Sequence, residues 1–223
     1  MSNLSIFDII GPVMVGPSSS HTAGAVRIGN LAKEIIGEEF NHVKVYLHGS
    51  FKETYQGHGT DKAIIGGLLG LQTDNPMIKE AFTLARARNL SYEFLPIDLD
   101  NAHPNTIKLE ISNVKGKIIN IIASSIGGGS VIINEIDGIK VGVTGELATL
   151  LTIHQDKPGI IAKISRVLED YKLNIAYMKV LREYKGSLAT AVIELDEEID
   201  EEILDKIREI TEIEEIKLIG PIN

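Results

Sequence analysis

The 223-residue sequence contains no cysteine and no tryptophan. The first absence excludes disulfides, thiol nucleophiles and any metal or cluster site built on thiolates of this chain. The second leaves 6 Tyr and 5 Phe as the whole aromatic complement, too little for stacked recognition of bases or sugars and better suited to a small polar ligand. Basic charge is also scarce: 22 Lys and Arg stand against 31 Asp and Glu, a formal charge of −9, and no segment gathers the cations. Nucleic acid and anionic membrane are therefore poor partners. No stretch reaches the ~18 uninterrupted apolar residues of a membrane helix, and Met1 to Gly11 lacks the basic start and apolar run of a signal peptide, so a cytoplasmic protein is expected. Hydrophobic residues nevertheless make up 43% of the chain, ample for real cores.

The texture changes once along the chain. Residues 1 to 148 carry 12 basic and 15 acidic groups and are studded with Gly, Ser and Thr; residues 149 to 223 carry 10 and 16 and alternate apolar strands with amphipathic helices. Two domains, 1–146 and 147–223, are expected, with the seam near Gly145 to Leu150. In the first, Ala23 to Ile36 has a broad apolar face at helical spacing and Gly37 where a C-terminal cap belongs. Val43 to Leu47 reads as a strand, Thr60 to Leu69 as a Gly-rich helix, and Asn75–Pro76 as the opening of a third helix, Met77 to Arg88. Strands follow at Ile107 to Ile111, Lys117 to Ala123, Ser130 to Glu135 and Ile139 to Val143, the last two flanking an Asp137–Gly138 hairpin turn. This is an α+β domain. The second reads strand (Ala148 to His154), helix (Gly159 to Lys172), strand (Asn174 to Arg182), strand (Leu188 to Leu195), helix (Asp200 to Ile210), strand (Glu214 to Ile219). That βαββαβ order is the ferredoxin-like arrangement.

Chemistry concentrates in the first domain. Gly16-Pro17-Ser18-Ser19-Ser20-His21-Thr22-Ala23-Gly24 places four hydroxyls and an imidazole at a helix start, where free N–H groups and the helix dipole favour a carboxylate or phosphate. Redundant capping by the serines is the competing reading. Gln56-Gly57-His58-Gly59-Thr60-Asp61 sets a histidine between two glycines, where a ligand can approach and a proton can be exchanged near neutral pH. His103-Pro104-Asn105-Thr106 is a weaker turn signal. Ser124-Ser125-Ile126-Gly127-Gly128-Gly129-Ser130 offers backbone donors without the Lys-Ser/Thr of a phosphate-binding loop. His42, His48 and His154 fit no ligand spacing and are read as structural. The acidic run Asp196 to Glu202 reads as a solvated helix start.

These blocks together, from Ile6 to Gly29 onward and in this order, resemble the beta chain of bacterial iron–sulfur L-serine dehydratases. The resemblance covers essentially the whole chain, and its Gly16-to-Gly24 block is the most specific part. It implies an N-terminal domain like the allosteric substrate-binding domain of some phosphoglycerate dehydrogenases. It also implies a lyase that converts L-serine to aminoacrylate, then iminopyruvate, then pyruvate and ammonia. It further implies a 4Fe–4S cluster held by a separate, cysteine-containing alpha subunit, with no metal ligand in this chain. On that basis His58 is the expected general base, with His21 as the alternative. Ser18, Ser19, Ser20, Thr22, Asp61, His103, Asn105, Thr106, Gly127, Gly128 and Gly129 are the expected substrate contacts. The same groups could instead form an effector site.

Thr152 to Ile161, with Leu173-Asn174-Ile175, is similar to the ACT domain, a regulatory module that binds amino acids where two copies meet. The implied site comprises Asp156, Pro158, Gly159, Ile160, Asn174 and Ile175: the helix start beyond Pro158 would receive a carboxylate and Asn174 would face it from the next strand. Self-association through this domain is expected, and so is binding of L-serine. A module that pairs but binds nothing is the competing reading. A non-enzymatic amino-acid sensor would need only this domain and leaves the serine–histidine block unexplained. A pyridoxal-phosphate dehydratase would need a Schiff-base lysine in a large cofactor domain, which is not found.

Overall fold

The computed structural model describes residues 12–222 and separates into two compact units that divide between Thr144 and Gly145. The Ile6-to-Gly11 part of the N-terminal block lies outside the described residues.

The first unit contains α1 (Gly24–Ile36), β1 (Phe40–Leu47), α2 (Gly49–Thr54), α3 (Thr60–Leu68), α4 (Ala81–Ala87), β2 (Ser91–Pro96), β3 (Thr106–Asn113), β4 (Ile118–Gly127), β5 (Ser130–Ile136) and β6 (Ile139–Val143). Its sheet runs in the order β2-β1-β3-β4-β5-β6, with β1 and β2 parallel and the other pairs antiparallel. Strands β3 to β5 alternate fully and partly buried residues, so one sheet face takes Leu109, Ile111, Ile121 and Ile133 into the core. Helix α1 packs on β4 and β5 and α3 packs on α1, adding Val26, Ile28, Leu31, Ile64 and Leu68. Burying each such side chain contributes about 1.5–3 kcal/mol. The β5–β6 hairpin pairs Ile136 with Ile139 across Asp137 and Gly138, whose φ of 48° and 85° are the two positive values a type I′ turn requires.

Three expectations are corrected. The first helix is preceded by a π-turn, Ser19–Ala23; the third is a 3₁₀ turn, Pro76–Glu80, followed by α4; and α2 and β2 are elements beyond those expected. Strand β2 lies at the sheet edge with no fully buried residue, so the contrast between its faces is faint.

Helices α1 and α3 cross where Gly29 meets Gly67. A Cβ on Gly29 would lie 2.6 Å from the Ile64 carbonyl oxygen and 2.8 Å from the Gly67 Cα, and one on Gly67 would run into the Val26 carbonyl. Both helices start at the polar blocks, so this crossing fixes how far apart those blocks stand.

The second unit contains β7 (Ala148–Gln155), α5 (Ile160–Asp170), β8 (Ile175–Arg182), β9 (Leu188–Leu195), α6 (Glu201–Arg208) and β10 (Ile213–Ile219), the expected βαββαβ order. All neighbours in its sheet, β10-β7-β9-β8, are antiparallel. Leu150, Ile160, Ile164, Leu168, Ile193, Ile203 and Ile207 form its core. Asp200 caps α6 by accepting from Ile203 N at 3.1 Å, so the acidic run is a helix start as read. No helix among the described residues is long and apolar enough to cross a membrane.

Candidate functional site

The π-turn is what aims the serine–histidine block. Ser18 has an extended backbone, its hydroxyl accepts from His21 N at 3.1 Å, and its carbonyl accepts from Thr22 N at 2.8 Å and Ala23 N at 3.4 Å. The wider turn carries His21 inward until it is 9% exposed. Gly16 (φ 131°) must be glycine, because a Cβ there would lie 2.5 Å from Thr22 Cγ2. His21 is held on every side: Nδ1 lies 3.1 Å from Ser20 Oγ and Nε2 2.9 Å from Ser50 Oγ, and Phe51 packs edge-on at 5.1 Å. Burial, and then the neighbouring His58, lower its pKa below the usual histidine value, so the ring is neutral at pH 7.

His58 arrives from the second block with its ring 4.7 Å from that of His21. Its carbonyl accepts from Thr22 Oγ1 at 2.9 Å and its N–H donates to the Thr54 carbonyl at 3.1 Å, which ties the two blocks together. His58 Nδ1 is shut from solvent yet has no hydrogen-bond partner. Gly59, left-handed at φ 66°, turns the chain into α3. There Thr60 is fully buried with an unpartnered hydroxyl, and burial raises the carboxyl pKa of Asp61 in the first turn.

The other two blocks are bonded to each other, and the His103–Thr106 loop also to α2. Pro104 O accepts from Ser50 N at 2.8 Å and Asn105 O from Ser125 N at 2.9 Å, so the His103–Thr106 loop bridges α2 and β4. Thr106 is fully buried, with its hydroxyl on His103 O at 2.6 Å and Ser124 Oγ at 2.8 Å: its bonds knit the loop to the sheet rather than face outward. His103 is exposed and its Nδ1 accepts from Asn105 N at 3.1 Å. Gly127, Gly128 and Gly129 form the β4–β5 turn, all at positive φ. Gly129 packs against Pro12, and its carbonyl accepts from Arg27 Nη1 at 3.2 Å. Ser125 is fully buried with an unpartnered hydroxyl set directly against Gly24, where any Cβ would collide with it.

Sequence reasoning missed Ser50, Phe51 and Arg27, and took in Ser125 only as part of its block, without a role of its own. Gly49–Ser50 did carry a signal: Gly49 has φ 55°, and a Cβ there would lie 2.5 Å from Pro104 O, so the glycine allows the close approach that brings Ser50 to His21. His48 and His42 fill ordinary structural bonds, to Leu99 N at 3.1 Å and Ser91 Oγ at 2.8 Å.

In the second unit, the expected site separates into two places. Asp156 accepts from Gly186 N at 3.0 Å and from Arg182, which hold its carboxyl below the usual range; Gly159 (φ 90°) then starts α5 with Ile160 buried. Asn174 instead donates from its side chain to Asp196 and from its N–H to Glu197 at 2.7 Å. Because Gln155 pairs with Leu188 and Ile175 with Leu195, Asp156 and Asn174 lie at opposite ends of β9, roughly 20 Å apart at ~3.3 Å per residue. Asn174 therefore does not face the α5 start of its own chain, and half-buried Ile175 stands beside it at that far end. His154 lies at the Asp156 end, 2% exposed, with Nδ1 3.2 Å from Thr152 Oγ1; burial lowers its pKa.

The chain is 45% identical over 220 residues to the probable L-serine dehydratase beta chain of Bacillus subtilis, covering 99% of this chain and 100% of that one. The chain belongs to the L-serine dehydratase beta chain family. The L-serine dehydratase beta chain of Peptoniphilus asaccharolyticus is 40% identical over 204 residues, 91% of this chain and 92% of that one. Serine dehydratase beta chain is also the family matched over residues 5–91, the stretch that holds both histidine blocks, and ACT domain the family matched over 148–212. D-3-phosphoglycerate dehydrogenase of Methanocaldococcus jannaschii is 28% identical over 200 residues, covering 88% of this chain but 37% of that one. A serine dehydratase subunit with an ACT domain is thus at hand. It has no cysteine, and among the described residues no group of three His, Asp or Glu could hold a metal. The residues present do not fit an iron–sulfur cluster.

Proposed function

We propose that this chain is the beta subunit of a two-chain, cytoplasmic L-serine dehydratase, converting L-serine to pyruvate and ammonia with a 4Fe–4S cluster held on a separate alpha subunit. Residues 1–146 would serve the reaction and 147–223 would sense amino acid. The observation that carries this reading is the His21–His58 pair at the mouth of the serine block, with an imidazole nitrogen of His58 left unpartnered out of water.

An imidazole nitrogen with no partner of its own is the group on this chain equipped to take the weakly acidic Cα proton of serine. His58 is the base and His21, held neutral by burial, shapes its surroundings. Ser18, Ser19 and the Gly127–Gly129 backbone supply donors for the substrate carboxylate, with Ser20 bridging Ser18 and His21 and Thr22 holding the His58 loop through its carbonyl. The test is assay of the purified chain: it is expected to bind no iron and form no pyruvate from L-serine, and mixing with its cluster-bearing partner restores both. Turnover by this chain alone would overturn the reading.

The similarity to a dehydrogenase over 88% of this chain favours a second reading, in which the N-terminal site holds an effector. It is separated from the first by whether loss of the histidines lowers kcat or only serine activation.

For the ACT unit, strand β8 lies at the sheet edge. Two copies paired antiparallel along β8 would bring Asn174 of one beside the Arg182–Asp156 corner of the other, completing a site that one copy leaves split. The α5 N–H groups would then meet the serine carboxylate, and Asp156 and Asn174 its ammonium. Titration calorimetry of the full chain with L-serine is expected to show a saturable heat, and Asn174→Ala to weaken it roughly tenfold or more. No heat with any amino acid would leave a pairing module.

A further inference from the structure

Both ring nitrogens of His21 are engaged by hydroxyls, Nδ1 by Ser20 at 3.1 Å and Nε2 by Ser50 at 2.9 Å. A neutral imidazole has one donor and one acceptor, so one of these hydroxyls must give its hydrogen and the other must receive. Both separations are within hydrogen-bond range and fit either role, so the two possible tautomers differ in which serine gives its hydrogen. Ser20 Oγ also lies 3.4 Å from Ser18 Oγ, and Ser18 Oγ already accepts from the His21 backbone N–H at 3.1 Å. If Ser20 receives from the ring, its own hydrogen is free for Ser18. Ser18, accepting twice, then has its hydrogen left over.

We infer that Ser50 is a positioning residue: by donating to Nε2 it fixes His21 as the Nδ1–H tautomer and orients a chain of hydrogen bonds from Ser50 through His21 and Ser20 to Ser18. The end of that chain is a Ser18 hydroxyl obliged to donate to whatever enters the mouth, which is what a carboxylate or another acceptor oxygen needs. Ser50 can play this part because its own backbone is fixed elsewhere, its N–H on Pro104 O at 2.8 Å and its carbonyl under Thr54 Oγ1 at 2.8 Å. His58 is the titratable group facing the His21 ring, and Phe51 covers its edge, so the two hydroxyls decide the tautomer. The inference rests on reading the serine–histidine mouth as a ligand site, but it concerns the bonds inside it.

The experiment is long-range ¹H–¹⁵N correlation spectroscopy of the full chain with ¹⁵N-labelled histidine, His21 being assigned by its loss in His21→Gln. Wild type is expected to show His21 with hydrogen on Nδ1 and an accepting Nε2. In Ser50→Ala the tautomer ratio is expected to move roughly fivefold toward Nε2–H. The His21 titration moves to higher pH, because a bond that only the neutral ring can accept has gone. Ser50→Thr, which keeps the hydroxyl, restores both signals. An Nε2–H tautomer in wild type, a Ser50→Ala spectrum identical to wild type, or a Ser50→Thr spectrum matching Ser50→Ala would each overturn the inference. Since no partner or turnover enters the measurement, its failure leaves the catalytic reading standing, and the reverse also holds.

Discussion

On the proposed two-chain reading, replacing His58 with alanine is expected to lower kcat of the assembled enzyme by on the order of a hundredfold or more, with the iron–sulfur absorbance unchanged. The expectation follows from what each imidazole has left to give. His21 has both nitrogens committed to serines, whereas His58 is anchored through its backbone and keeps Nδ1 without a partner. The anchoring bonds use the carbonyl and N–H of His58, which alanine retains, so the loop is expected to keep its place. Pyruvate formation at saturating serine, read beside the visible spectrum of the cluster, checks both halves. His21→Ala is expected to act on the same quantity less severely, through the loss of packing and orientation beside His58.

The second large effect concerns stability. Gly67→Ala is expected to destabilise the first unit by about 3 kcal/mol, the upper end of ordinary overpacking, because the clash is with backbone that cannot rotate away. That corresponds to a fall of about 6–12 °C in its melting temperature. The neighbouring Gly66→Ala is the control: its Cβ would make only ordinary contacts, at 3.5 Å to Ile78 and Leu71 side-chain carbons, and removing a helical glycine is favourable by up to about 1 kcal/mol. Calorimetric melting of the two variants and wild type checks this. Opposite signs are expected for adjacent residues of identical helix and identical chemistry. Because α1 and α3 begin at the two histidine blocks, Gly67→Ala is also expected to cost activity at temperatures where the unit remains folded.

Much of this was legible in the sequence, because the polar blocks are contiguous and helical periodicity is strong in α1 and the second unit. That the four blocks converge could be expected from their resemblance to one family; the bonds that join them could not. Ser50 sits in a six-residue helix with a single buried side chain, Phe51, too short for periodicity to register. The π-turn at Ser19–Ala23 reads as plain helix in sequence, since it differs by one residue per turn, yet that residue is what turns His21 inward. Asn174 was expected opposite the α5 start because it opens the following strand. Only the register against β9, a third strand, shows that it stands at the far end. Thr106 and Asp61 look alike as polar residues of motif blocks, but one is spent on Ser124 and His103 while the other is a half-buried carboxyl at a helix start.

The most direct test of the catalytic assignment is the dependence of pyruvate formation on L-serine concentration for the His21→Ala/His58→Ala double variant, assembled with the proposed cluster-bearing partner and set beside wild type. A base that acts on the substrate predicts a maximum rate at least a hundredfold lower, on a curve whose midpoint and steepness stay close to those of wild type. A curve that climbs to the wild-type maximum at higher serine, with its steepness lost, would contradict it and make the histidine pair an effector site.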